Sequence, residues 1–267
     1  MKGSILGILL GLCLVMFYPA RTSAGVSVSI AAGSGNFNVL ANYGDWVNVP
    51  AYGQVWQPYV VSSWQPMVHG QWVWTSSGWS WVSYEPFGWV VYHYGYWDYA
   101  PAYGWIWIPG NTWSPARVNW LYFGSNVAWA PMTPPGRPVP DLWSSAGLRY
   151  WRVVRVNDIT VENVSRVIVV APPRPAKTVV VYRRAPVVTE VEKVTRVKIV
   201  PVKYNTETVS SGKATLKKVS YPVAVTERAR PHEQTVERDV LVHKQVVQSK
   251  PKDKNKDKEK EKEKEKH

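Results

Sequence analysis

The sequence predicts an all-β protein: a small meander of short Trp/Tyr-rich hairpins, forming a sheet stack or an open barrel, followed by a long disordered or extended basic tail. Three observations carry this reading. Large residues recur at every second position in Gly70-Gln71-Trp72-Val73-Trp74 and Gly78-Trp79-Ser80-Trp81-Val82, which places each tryptophan pair on one face of an extended chain. Glycine and proline punctuate these runs too often for helices. Charge is segregated: residues 25–140 contain no lysine, two arginines (Arg117, Arg137) and three acids (Asp45, Glu85, Asp98). Lys2 and Arg21 contribute two positive charges and residues 25–140 a net of minus one. Of the net +13 of the 267-residue chain, residues 141–267 therefore carry +12.

Taken in order, Met1-Lys2 gives a short positive start and Ile5 to Tyr18 an apolar run. Thr22-Ser23-Ala24 then supplies small residues at a cleavage position, so residues 1–24 read as a signal peptide. The run is short for a bilayer of about 30 Å, and no later segment is expected to span one. Cys13 is the only cysteine and falls within the apolar run, preceded by Leu12 where a lipoprotein signal needs a small residue. The mature chain is thus expected to hold no disulfide and no lipid anchor.

Residues 25–140 read as the aromatic domain. Thr75-Ser76-Ser77-Gly78 joins the first two runs as a turn, and the pattern recurs 25 to 26 residues later in Gly95-Tyr96-Trp97 and Gly104-Trp105-Ile106-Trp107-Ile108. A looser copy passes through Trp113, Trp120 and Trp129. Residues 141–170 form a boundary segment, with a short helix expected around Leu142 to Trp151 and strands at Ile159-Thr160-Val161 and Val167-Ile168-Val169-Val170. Residues 171–267 are the Val/Lys-rich tail. Val188, Val191, Val194, Val197 and Val200 recur every third residue, matching neither strand nor helix, so an extended and loosely ordered segment is expected. The alternating Lys/Glu run to Lys266 is a polyampholyte that opposes helix formation, because residues four apart carry like charge.

All sixteen tryptophans lie between Trp46 and Trp151, fourteen of them in residues 25–140 together with ten tyrosines. Most are expected in a core, since each such ring buries about 150 to 250 Å². So small a domain is not expected to enclose them all, and roughly a third are expected to be partly exposed. The expected exposed rings are Trp72, Trp74, Trp79, Trp81, Trp105 and Trp107, suited to stacking on sugar rings or to docking a protein partner.

The run Tyr43-Gly44-Asp45-Trp46, Val49-Pro50, Tyr52-Gly53 and Trp56-Gln57-Pro58 continues through Gly70 to Val82, Pro86-Phe87-Gly88-Trp89 and Tyr92 to Trp97. It closes with Gly104 to Gly110, Trp113-Ser114-Pro115-Ala116 and Val127-Ala128-Trp129-Ala130-Pro131. Over roughly residues 42–135 this order of motifs resembles secreted, Trp/Tyr-rich bacterial proteins classed only as a domain of unknown function, some with a FecR-type domain upstream. The resemblance implies a bacterial envelope protein without known catalysis, and it supplies no active-site residues. The motifs begin too close to the expected mature start for an upstream FecR-type domain, so that domain's signalling role is not expected here.

A search for chemistry leaves few candidates. A glycoside hydrolase needs two carboxyl groups about 5 to 9 Å apart across a cleft, and Glu85 with Asp98 is the pair to test. His69 and His93 precede Gly70 and Gly95, but no third donor stands at metal-ligand spacing. No cofactor or metal is expected, and the chain is read as a non-enzyme. Asn163-Val164-Ser165 matches a glycosylation acceptor by coincidence. Arg183, Arg184, Lys193, Arg196, Lys198, Lys217 and Lys218 suit anionic envelope polymers. Export argues against nucleic acid. The expected function is a structural or protein-contact module of the cell envelope, periplasmic or at the cell surface, with binding of cell-wall polysaccharide as the alternative.

Overall fold

The computed structural model describes residues 37–211 and 214–222. The expected signal peptide and the polyampholyte lie outside the described residues. Four antiparallel hairpins follow one another: β1 (Gly44–Val49) with β2 (Gly53–Pro58), β3 (Gly70–Thr75) with β4 (Gly78–Ser83), β5 (Tyr96–Ala100) with β6 (Gly104–Ile108), and β7 (Val118–Phe123) with β8 (Asn126–Pro131). The second and third are the hairpins expected from the alternating tryptophans, and the fourth is the looser copy. Trp113 lies in the loop before β7 instead of on a strand. The hairpin at Gly44–Pro58 is an additional copy.

The register exposes a repeat that spacing alone conceals. In each of these four hairpins a tryptophan on the first strand stands opposite one on the second: Trp46 and Trp56, Trp72 and Trp81, Trp97 and Trp107, Trp120 and Trp129. Such cross-strand aromatic pairs stabilise a hairpin at the level of side chains. The second-strand partners Trp56, Trp81, Trp107 and Trp129 are each 0% exposed. In the first three hairpins a glycine stands two residues before the first-strand tryptophan. A Cβ added at Gly44, Gly70 or Gly95 would lie 2.6, 2.8 or 2.7 Å from Cε2 of Trp56, Trp81 or Trp107. The Gly-x-Trp spacing thus exists to let the opposite indole lie against bare backbone.

The hairpins assemble into open sheets, none closed into a barrel. The first and third join through Trp56 and Trp107 in the order β1-β2-β6-β5. The fourth is flanked by β9 (Arg152–Arg155) and β10 (Val181–Tyr182) in the order β10-β7-β8-β9. Among the described residues β3-β4 pairs with no further strand, and neither does β11-β12 (Asn205–Ser211 and Ala214–Ser220). The tryptophan faces meet in one core, while Val49, Val55, Ile106 and Ile108 form a small cluster on the other face of the first sheet. Among the described residues three short α-helices punctuate the strands: α1 (Gly88–Val91), α2 (Gly147–Tyr150) and α3 (Val188–Thr195).

Three expectations beyond residue 140 are corrected. The helix around Leu142 to Trp151 reduces to α2. The strand of the boundary segment is β9, paired with β8 from Trp129–Arg152 to Asn126–Arg155, and neither 159–161 nor 167–170 is a strand. Residues 188–195 are helical, not extended: Val191 is buried in the main core, and that tertiary burial outweighs the low helix propensity of valine and threonine. Glu190 completes the helix start by accepting from the Val187 N–H at 3.0 Å, and Arg184 holds the same carboxylate at 2.7 Å. The core does not end at residue 140. Leu142, Tyr150, Trp151, Val153, Val154, Val156, Ile159, Val164, Val191 and Leu216 all belong to it.

Candidate functional site

The six tryptophans expected on a binding face do not form one. Trp72, Trp79, Trp81, Trp105 and Trp107 are buried, and Trp74 is half-buried with its ring 5.5 Å from Trp79. Trp72 shows why. Its ring centroid lies 5.1 Å from Trp81, 4.4 Å from Trp120 and 5.6 Å from Trp129, so the face of β3 that carries it meets the β7-β8 hairpin. Alternation places side chains on a common face; what that face meets is decided by another hairpin. Several indole N–H groups are satisfied inside: Trp56 donates to Leu40 O, Trp107 to Tyr94 O, Trp129 to Met67 O and Trp79 to Pro186 O, whereas those of Trp72 and Trp81 meet no acceptor among the described residues. Rings enclosed in this way are not available for stacking on a polysaccharide.

The expected hydrolytic pair is also divided. Successive residues of a strand face opposite sides of its sheet. Trp97 enters the main core, where its ring approaches Trp64 and Tyr92, and both of these residues donate to the Glu85 carboxylate. Asp98 follows on the other side of β5. There its carboxylate accepts from Tyr52 at 2.6 Å and from Tyr150 at 2.6 Å, and pairs with Arg137 at 2.9 Å. Asp98 is buried among these partners and ties three distant segments together, so it lines no groove with Glu85.

Glu85 itself borders a cleft of about 430 Å³. One wall comes from β4 and α1 with Ser83, Glu85, Trp89 and His93, and the other from β12 with Lys218, Val219, Ser220 and the following Tyr221. Trp64 donates to Oε1 at 2.5 Å, Tyr92 donates to Oε2, and the Glu85 backbone N–H donates to Ser83 Oγ at 3.0 Å. Burial pushes the carboxyl up to about 7 against the opposing pull of these donors. His93, on the same cleft lining, is buried, with Nδ1 2.9 Å from Ser114 O and its ring stacked on Trp113 at 5.9 Å and 5°. Burial pushes its imidazole down to about 4, so it is neutral at pH 7. Among the described residues no group of three or more His, Cys, Asp or Glu is placed to hold a metal.

The cleft depends on how β12 docks. The Tyr94 hydroxyl accepts from the Lys217 N–H at 2.7 Å and donates to Lys217 O at 3.2 Å, bracketing one residue of the strand. Ser80 Oγ and the Tyr221 hydroxyl are 2.5 Å apart. Lys217 Nζ stands 3.8 Å from the centroid of Trp113, and Lys218 Nζ lies 5.6 Å from that of Trp89 and 2.9 Å from Glu207. The β12 residues were legible only as basic tail; nothing local announces that Lys217 caps an aromatic ring.

Residues 37–136 match a family of unknown function (DUF6600). The matched region holds all four tryptophan hairpins and one wall of the cleft. The other wall, β9, β10 and α3 come from the chain beyond it. No curated protein and no solved structure matches the chain. Among the described residues no helix is long and apolar enough to cross a membrane. The Asn163-Val164-Ser165 motif has a local structural use, because Asn163 Oδ1 accepts from the Ser165 N–H at 3.0 Å and the Ser165 hydroxyl at 2.6 Å to start a 3₁₀ turn.

Proposed function

We propose that the chain is an exported, non-enzymatic bacterial envelope protein acting as a structural or protein-contact module. The supporting observation is where apolar surface stays uncovered. Eight of the ten exposed large apolar residues among those described lie between Val170 and Val200, whereas the tryptophans are largely enclosed. Exposed apolar side chains gathered in one segment mark a contact surface. In the same segment β10 pairs with β7 along one edge and stands at the margin of its sheet, with Val181 and Tyr182 exposed. A sheet margin of this kind accepts an extended segment of a partner protein.

Charge adds a second element to the reading. Arg184, Lys198 and Lys218 are engaged by Glu190, Glu192 and Glu207, but Arg183, Lys193 and Arg196 pair with no acid among the described residues. These three favour an acidic partner surface or an anionic envelope polymer, through an attraction that salt weakens. Export rests on the signal-like pattern of residues 1–24.

The test is site-specific photo-crosslinking in the native bacterium, with a photoreactive phenylalanine at Val180, Val194 or Val197 and at the exposed turn residue Ser76 as control. The expected result is a discrete protein adduct from the valine positions in the envelope fraction, absent at Ser76. Adducts indistinguishable between the valines and Ser76, or a chain retained in the cytoplasm, would reject the reading.

A further inference from the structure

We propose that the cleft between β4, α1 and β12 binds a single neutral pyranose unit, with Trp89 as its apolar wall and Glu85, Ser83 and Ser220 as its hydroxyl partners. The proposal is independent of the contact surface between Val170 and Val200, since none of the cleft residues belongs to it.

Size comes first. A cleft of about 430 Å³ falls within the roughly 300 to 1,000 Å³ typical of small-molecule sites, and it is far below what a folded partner needs. Its chemistry is split in the way a pyranose is split. Trp89 and Pro86 offer apolar surface, which suits the C–H face of a sugar ring, while two serine hydroxyls and a carboxylate suit its hydroxyl edge. Glu85 accepts from Trp64, Tyr92 and the Ser83 hydroxyl, which leaves about one acceptor position for a ligand hydroxyl.

Competing ligand classes fit less well. An anion would meet the buried carboxylate of Glu85, and Lys218, the one cation of the lining, is already held by Glu207 at 2.9 Å. A hydrocarbon would bury Glu85 and both serines without supplying hydrogen bonds, a cost of about 1 to 3 kcal/mol for each such group. Nothing local in the sequence marks the site, because β12 is more than 120 residues from the α1 wall and closes the cleft through the Tyr94 and Tyr221 hydroxyl contacts, the Lys217–Trp113 and Lys218–Trp89 contacts and the burial of Leu216.

Isothermal titration of the full mature chain with four soluble trisaccharides tests it: cellotriose, an N-acetylglucosamine trimer, a glucuronate-containing trimer and a de-acetylated glucosamine trimer. The expected result is saturable binding of at least one neutral trimer and weaker binding of the acidic one. Trp89→Ala and Ser220→Trp, the latter filling the cleft from an exposed strand position, each weaken it about tenfold or more. Tyr182→Ala, on the proposed protein-contact surface, leaves it unchanged. Near-UV circular dichroism identifies any variant that fails to fold, and Ser220→Trp then decides alone. No neutral-sugar binding at millimolar concentration, binding indifferent to both cleft variants, or binding confined to the cationic trimer would each overturn the proposal.

Discussion

Two buried titratable groups give the cleft an unusual pH behaviour. The folded value of Glu85, about 7, lies above its ordinary 4.5, so its contribution to stability is complete below pH 4.5 and is lost as pH rises through 7. The folded value of His93, about 4, lies below its ordinary 6.5, so its contribution is complete above pH 6.5 and is lost as pH falls through 4. Each shift corresponds to about 3 kcal/mol. Between pH 4.5 and 6.5 the two slopes oppose each other, and the pair leaves stability nearly flat. Glu85→Gln removes one slope, so the variant should lose up to about 3 kcal/mol between pH 6.5 and 4, whereas His93→Phe should gain on acidification. Urea unfolding at several pH values checks this, and three parallel profiles would refute it. The tryptophans separate in a similar way. Trp107 donates to Tyr94 O at 2.9 Å, while the buried Trp72 N–H has no partner among the described residues. Trp107→Phe should therefore cost about 1 kcal/mol more than Trp72→Phe in chemical denaturation.

At the scale of the element, the hairpin unit is a cross-strand tryptophan pair, in the first three hairpins with a glycine under the second indole. Gly95→Ala combines a left-handed φ of 63° with close approach to Trp107 and the Ile108 carbonyl. It should destabilise the protein by about 3 kcal/mol or more. Gly104→Ala carries a φ of 76° in open space and should cost only about 1 kcal/mol. Equal melting temperatures for the two variants would contradict this division between packing and turn glycines. The β11-β12 hairpin is a different kind of element, attached by hydroxyl and cation–π contacts. Tyr94→Phe removes both bonds to Lys217 and should speed amide hydrogen exchange in β12 while β7 and β8 keep their protection. The alternating tryptophans made β3 to β6 legible in the sequence. The helix over Val188–Thr195 was not, because its stability comes from burying Val191 against a core built elsewhere.

Across the whole molecule, the region that matches the family is not a closed unit in this chain. β9 extends the sheet of the fourth hairpin, Trp79 donates to Pro186 O, and Val202 N–H donates to Trp74 O. A fragment of residues 25–140 would leave that edge and those core faces open. We expect it to bind a hydrophobic dye and to melt well below a 25–222 chain, which should unfold in a single transition. Identical melting of the two would show that the later segments are appended to the core and do not complete it.

The amino-acid sequence by itself determined the all-β class, the positions of the central hairpins and the segregation of charge, because strand alternation and turn glycines are local signals. It did not determine which tryptophans meet solvent. A face shared by Trp72 and Trp74 is the same face whether water or another hairpin lies against it, and here β7-β8 lies against Trp72. Only the tertiary structure decided that Glu85 and Asp98 stand on opposite sides of a sheet and that β12 closes a cleft over Glu85. The reason is that both depend on contacts between segments far apart in the chain, for which no residue pattern within either segment carries the information.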